Sequence, residues 1–332
     1  MRLFLEGLAY LISQQRYIID HAARQNLLAY AGGDFLDHLG ILTDTQRLPA
    51  QAARTTMQFS LAEALGSAVT IPQGTRVTPG EQIYFATIET VEIAPGDTSA
   101  TVTAECQSPG AFANGFVAGQ INKMVDLVGH VSSVQNLTTS LGGSDLENDD
   151  NFRERIQLSA EKYTNAGSRL SYKYWALDAH QDILDVSVIS PEPGHVAVYV
   201  LMENGELPSP EILTLVEDSV SGDKTRPLTD FVSVSAPVQV NYDLDVTYYI
   251  SSANSVQAAS IQKNVQDAID SFLLWQRSAI GRDINPSELI SRIQQAGAKR
   301  ADVASPGFTA LGLAQVAKDV SASVTYGGLE DA

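Results

Sequence analysis

Leu5, Leu8, Ile12, Gln15, Ile19 and Ala22 follow three- and four-residue spacing, and Phe4, Leu11, Ile18 and Gln25 form a second seam beside them. This periodicity predicts a helix over residues 2–31 with a wide apolar face. Gly32-Gly33 supplies a stop, and Asp34 is placed to cap a short second helix carrying Phe35, Leu36 and Leu39. No bundle of further helices follows. The first helix is therefore expected to pack on another chain, with Leu5, Leu8, Ile12 and Ile19 at the interface. The competing expectation is that this face is covered by later domains of the same chain, as most amphipathic helices are.

From about Ala68 to Asn136 the pattern shortens to alternating runs broken by glycine and proline, which predicts antiparallel β structure. Val69, Ile71, Val77, Tyr84, Ala86, Ile88, Val91, Ile93, Val102 and Ala104 are the inward candidates, with turns at Pro95-Gly96-Asp97 and Pro109-Gly110. A second β run, Met124 to Val134, closes this block. Helical spacing returns over 144–181: Asn148 or Asp149 caps a helix with Phe152, Ile156, Ala160 and Tyr163 inward and Arg153, Glu154, Arg155 and Glu161 on other faces. Gly167 interrupts it, and Leu170 to His180 forms another.

Leu184, Val186 and Val188, then Val196, Val198, Val200 and Met202, alternate on either side of the turn Pro191 to Gly194, predicting a hairpin. A helix over 209–221 and a returning strand at Phe231 to Ser235 complete a small ββαβ unit. The theme recurs with a long strand from Val238 to Ile250 and a helix defined by Ile261, Val265, Ala268, Ile269 and Phe272. Asn285-Pro286-Ser287-Glu288 then starts another helix, Gly297 ends it, and strands at 300–304 and 314–324 close the chain. The fold expected is α+β. It comprises an N-terminal helical segment (1–60), an antiparallel β-rich domain (61–140), a helical insert (141–182) and two small α+β sandwich domains (183–236 and 237–332).

Composition narrows the chemistry. The chain of 332 residues is 44% hydrophobic and 18% charged, enough apolar surface for several cores. Its net charge of −18 opposes broad binding to nucleic acid or an anionic membrane. Cys106 is the single cysteine, which excludes an intrachain disulfide and fits folding in a reducing cytoplasm. The apolar start is interrupted by Glu6 and Gln14-Gln15-Arg16 and lacks a basic leader and cleavage site, so no secretory segment is expected. No stretch approaches the ~18 uninterrupted apolar residues of a membrane span.

No enzymatic signature emerges. His21, His38, His130, His180 and His195 are scattered, and none lies in H-E-x-x-H. Asp145, Glu147, Asp149 and Asp150 resemble a calcium-binding spacing. Counting from Asp145, however, the sixth and twelfth places hold Asp150 and Ile156 where an EF-hand needs glycine and glutamate, so a helix start is the better reading. Phosphate-binding glycine loops and the G-x-S-x-G elbow are missing. Trp175, Trp275, Tyr248 and Tyr249 are candidates for a glycan platform, set against their ordinary use as core aromatics. No cofactor or metal is expected.

Several stretches, in order, are similar to the baseplate J-like family. Ile71-Pro72-Gln73-Gly74-Thr75-Arg76-Val77 resembles the family's Ile-Pro-x-Gly-Thr-x-hydrophobic entry into its first β-domain. Phe85-Ala86-Thr87, Gly110, Asn114-Gly115, Gly119-Gln120-Ile121 and a strand leading to Asn136 follow it. The passage from Gly142 to Ile156 resembles the family's Gly-Gly-x-Asp-x-Glu-x-Asp-x-x-aromatic-Arg-x-Arg-Ile, although Asn151 stands where the family often carries Glu. Tyr172, Tyr174, Ala176 and Leu177 continue the match, as do Val186 to Pro191, Pro193, Gly194 and Val196.

The resemblance implies a non-enzymatic wedge subunit of a contractile phage tail or tailocin baseplate. Such a subunit is assembled in the bacterial host cytoplasm around a central hub, with other wedge proteins and further copies of itself as partners and the spike and sheath nearby. It would relay baseplate opening to sheath contraction. Independently of the resemblance, the glycines of Gly142-Gly143 and Ser221-Gly222 make these regions candidate hinges between rigid domains. Neither nucleic acid nor membrane insertion is implied. The alternative is a receptor- or glycan-binding tail accessory protein.

Overall fold

The computed structural model describes residues 2–80, 82–163, 168–222, 225–227 and 229–331, with the side chains of Arg2, Leu3 and Tyr163 excepted. Gly167 and the Tyr163 side chain, both named above, lie outside the described residues. The chain divides into a β-rich unit, residues 47–148, and a second unit formed by residues 1–46 and 149–332.

The β-rich unit holds β1 (Arg54–Leu61), β2 (Val69–Ile71), β3 (Arg76–Gly80), β4 (Ile83–Thr87), β5 (Val91–Ile93), β6 (Ser99–Cys106), β7 (Lys123–Met124) and β8 (Val131–Asn136). Six of these form an antiparallel sheet in the order β7-β3-β4-β6-β1-β8, and β2 pairs with β5 alongside. Strand β1 lies where the sequence pattern predicts the end of the N-terminal helical segment, 1–60. Met57, Phe59 and Leu61 alternate with polar residues and are buried, so period-2 burial overrides the helical assignment. In β4 the expected phase is inverted: Tyr84 and Ile88 are exposed, and Phe85 points into the core. A one-residue slip exchanges the faces of a strand, and the ring without a hydroxyl to satisfy takes the inside. The expected β run from Met124 to Val134 is two strands, β7 on β3 and β8 on β1, at opposite ends of the sheet order.

The family-like entry motif works by local bonding. Gly74 sits at φ +84°, a left-handed conformation that favours glycine, and its N–H donates to the Thr87 carbonyl (2.8 Å). Thr75 Oγ1 donates to the Pro72 carbonyl (2.7 Å). Arg76 then grips Asp126 through two guanidinium bonds of 2.8 and 2.9 Å and its own backbone N–H at 3.0 Å. Those bonds hold the Asp126 carboxyl down at about 2 against an ordinary value of 3.8. A carboxyl lowered on folding stabilises the native state above its unfolded value and loses that contribution as pH falls through the folded one. The difference in thermal midpoint between wild type and Asp126→Asn should therefore be full at neutral pH and close between about pH 4 and pH 2. A gap independent of pH in melts across that range would refute the assignment. Asn136 serves the loops in a similar way: its buried amide donates to the carbonyls of Phe116, Val117 and Thr138 and accepts from the Ile121 N–H.

In the second unit, α1 (Arg2–Arg24) and α2 (Asp34–Leu42) precede α3 (Asp149–Leu158) and α4 (Arg169–Ala179). Helix α1 ends seven residues before the expected limit. Leu28 and Ala31 turn inward to join Leu36, Leu39, Phe152 and Ile156 in a small core, which a continuous helix would not reach. Gly33, rather than Asp34, occupies the cap position of α2. After Leu158 the helix tightens to 3-10 geometry, and the three-residue repeat buries Ser159 and exposes Ala160, reversing the expected inward position.

Strands β9 (Ile183–Ile189), β10 (His195–Met202) and β11 (Phe231–Ser235) form a sheet in the order β11-β10-β9, with α5 (Pro210–Val220) connecting β10 to a parallel β11. The hairpin, helix and return strand match the sequence expectation. Tyr172, Ala176 and Leu177 of α4 and Val216 and Val220 of α5 pack on Val186, Val198, Val200 and Val232. The last module places β12 (Val238–Ser251) between antiparallel β13 (Arg300–Ser305) and parallel β14 (Gln315–Glu330). Leu244, Val246, Tyr248 and Ile250 of β12 meet α6 (Ala258–Arg277) and α7 (Pro286–Gln295) through Ile261, Val265, Ile269, Phe272, Leu289 and Ile293. Asn285 caps α7 as expected, accepting from the Ser287 N–H at 3.0 Å, while the Glu288 carboxylate bonds Arg292 instead of closing a capping box. Strand β14 outruns its expected end by six residues because it keeps pairing with β12 as far as Ser251. The fold class is α+β, as read from the sequence.

Candidate assembly interface

Helix α1 carries its apolar residues on an arc that runs from Ile18 through Leu11, Phe4, Leu8, Ile19 and Ile12 to Leu5, roughly 140° wide at about 100° per residue. No part of the chain covers this arc among the described residues. Leu8, near its middle, and Ile12 remain 45% and 44% exposed, and Leu5 and Ile19 are 55% and 68% exposed. The expectation that later domains of the same chain cover this face is not met. The polar side of α1 is bonded within the helix: Gln14 donates to the Tyr10 hydroxyl at 2.6 Å, Tyr17 stacks on His21, and Arg24 pairs with Asp20 at 2.9 Å.

The base of α1 is held by the acidic and basic residues of the α3 segment. The Asp149 carboxylate accepts from the Gly33 N–H at 3.0 Å, and Arg153 donates to the carbonyls of Leu28 (2.9 Å) and Ala31 (2.8 Å). Arg155, expected away from the inward face, is instead buried; it donates to the Gln46 carbonyl and pairs with Asp178. Lys162 reaches the carbonyls of Thr43 and Asp44 at 2.9 and 2.5 Å. Three cations thus neutralise backbone acceptors left open where the chain leaves α1 and α2, the role cations commonly play at helix C-termini. Sequence reasoning missed this clamp. The Arg-x-Arg spacing was its visible signal, but which carbonyls it meets depends on contacts more than 100 positions apart in the chain.

The acidic run does not converge on one point. Asp145 accepts from the Ala111 N–H, Glu147 from the Leu48 N–H and Asp149 from the Gly33 N–H, while Asp150 pairs with Arg153. Among the described residues no group of three or more His, Cys, Asp or Glu is placed to hold a metal ion. Of the candidate glycan platform, Tyr248 is buried, Trp275 is covered by the guanidinium groups of Arg282 and Arg292 at 4.2 and 4.8 Å, and Tyr249 lies under Arg300 at 3.8 Å. Among the described residues no helix is long and apolar enough to cross a membrane.

Models of the baseplate J-like N-terminal domain, barrel domain, central domain and C-terminal domain match residues 1–54, 56–143, 164–236 and 243–321. The chain belongs to the baseplate J-like family. It is 30% identical over 165 residues to "Baseplate protein J" of Escherichia phage P2, a match that spans 48% of this chain and 53% of that protein. A chain of the anti-feeding prophage (AFP) baseplate, solved by cryo-EM with 6-fold symmetry, resembles it at a TM-score of 0.48 and 11% identity, over 95% of this chain and 85% of that one.

Proposed function

We propose that this protein is a wedge subunit of a contractile injection system, non-enzymatic, assembled around the central hub in the host cytoplasm, that relays baseplate opening to sheath contraction. One observation carries the reading: a 23-residue helix whose apolar arc no described residue of its own chain covers. Apolar surface on this scale marks a contact, since each Å² removed from water is worth about 25 cal/mol before association costs. An arc of this width suits two neighbouring helices better than the narrow seam of a two-stranded coil, so α1 enters a multichain bundle through Leu5, Leu8, Ile12 and Ile19.

A second contact, through the C-terminal α+β module, joins a neighbouring wedge, because repetition around an axis needs two different surfaces on one chain. The domains proposed from the sequence reorient as rigid bodies during opening, with Ser221-Gly222 as the hinge; Gly142-Gly143, bonded through Asn114 within the β-rich unit, does not serve as one. Co-expression of the full chain with the other baseplate subunits of its particle should yield a complex that is lost when residues 2–24 are deleted. Recovery of that complex by the deletion variant would refute the assignment.

A further inference from the structure

Strand β14 is an edge strand: its sheet has the order β13-β12-β14, and beyond Gln315, whose carbonyl accepts from the Gly281 N–H at 2.7 Å, no strand pairs with its outer side among the described residues. Soluble proteins guard such edges with charge, proline or short length, because unpaired N–H and C=O groups recruit other strands. The opposite edge is guarded in this way. Strand β13 has six residues, carries Arg300 and Asp302, and runs into Pro306. By contrast, β14 has sixteen residues, and its stretch Val320-Ser321-Ala322-Ser323-Val324-Thr325-Tyr326-Gly327-Gly328-Leu329 contains neither a charge nor a proline.

Residues 320–323 and 325–327 of this stretch are exposed, with Val320 at 65%. Half-buried Val324 packs against the C-terminal core, and the ring of Tyr326 lies 5.6 Å from that of buried Tyr248. The pairing of β14 with β12 is irregular at two places, Val320 and Gly327-Gly328, so the regular run between them is Ser321 to Tyr326.

We infer that the outer edge of β14 pairs antiparallel with β14 of a second copy of this chain. The occupant is chosen by the strand itself, since Val320-Ser321-Ala322-Ser323-Val324 reads the same in both directions about Ala322. A twofold axis through Ala322 sets Ser321 opposite the second copy's Ser323 and Val320 opposite its Val324. Farther out, Asp319 faces Thr325 and Lys318 faces Tyr326, so no like charges meet. The inference rests on the proposed second wedge contact, and names its element and its partner.

The test uses the full chain carrying Leu8→Asp, so that α1 contributes no association. With Ala322→Cys added, mild oxidation should cross-link two chains, because opposed antiparallel residues have Cα atoms about 4.5–5.5 Å apart, within disulfide range. Cys106 is buried and gives little background, and Val256→Cys, 98% exposed, reports random collision. Adding Ser321→Lys and Ser323→Lys should slow cross-linking about ten-fold by opposing like charges, whereas Ser321→Lys with Ser323→Glu should preserve it. Unchanged thermal midpoints would show that the lysine and glutamate variants fold.

Cross-linking of Ala322→Cys no faster than Val256→Cys, or equal cross-linking in the two charge variants, would overturn the inference while leaving the α1 reading untouched. Full cross-linking together with undisturbed assembly of Leu8→Asp with other subunits would uphold it and refute α1 instead.

Discussion

Leu8→Asp is expected to weaken association with partner subunits at least about 100-fold while leaving the chain folded. Leu8 lies near the middle of the apolar arc of α1 and is 45% exposed in the isolated chain, so an aspartate there meets water and disturbs no core of its own. In a bundle the same position would be sealed. Loss of a leucine's burial removes about 1.5–3 kcal/mol, and a carboxylate without a partner adds a desolvation penalty, so the sum exceeds the ~2.7 kcal/mol that corresponds to 100-fold. The cost to the isolated chain is confined to the poorer helix propensity of aspartate, about 0.7 kcal/mol. Binding measured by calorimetry or pull-down, beside a thermal melt of the chain alone, separates the two effects. Association unchanged from wild type would remove α1 from the interface.

Phe152→Ala should have the largest effect on stability. Its ring is fully buried against Leu36, Ala31 and Ile156, in a core with only four buried members, and truncating a buried phenylalanine costs about 3–5 kcal/mol. So small a core has little else to retain α2 and the turn below α1. Hydrogen exchange should therefore accelerate in α2 and α3, while the amides of β1 and β6, in the separate β-rich unit, keep their protection. Gly40 tests the same packing from the other side: a Cβ there would lie 2.6 Å from Phe152 Cζ and 2.6 Å from the Thr45 carbonyl oxygen. Gly40→Ala should thus destabilise the chain in its own right, and less so beside Phe152→Ala, where the ring clash is gone. Additive effects of the two substitutions would contradict this geometry.

The legible parts of the fold were those where burial has one period. The hairpin β9-β10, the long strand β12 and helices α5, α6 and α7 follow from alternation or three- and four-residue spacing, with Asn285 as a readable cap. The parts that did not follow were decided by neighbours. Strand β1 gains its identity from β6 and β8 on either side, which lie far along the chain. Phe85 displaced Tyr84 and Ala86 from the inner face because the core takes the ring that fills it best, a choice that local alternation leaves open.

Of the candidate interface, the apolar arc of α1 was readable residue by residue, because a helix face depends only on spacing. The amino-acid sequence by itself determined the order of modules, the family and the residues on that arc. Tertiary structure alone decided where α1 stops, that its arc stays open, and that Arg153, Arg155 and Lys162 clamp the carbonyls at its base. Periodicity is a property of neighbours in the chain, whereas exposure and the pairing of a guanidinium with a distant carbonyl are properties of which segments meet in space.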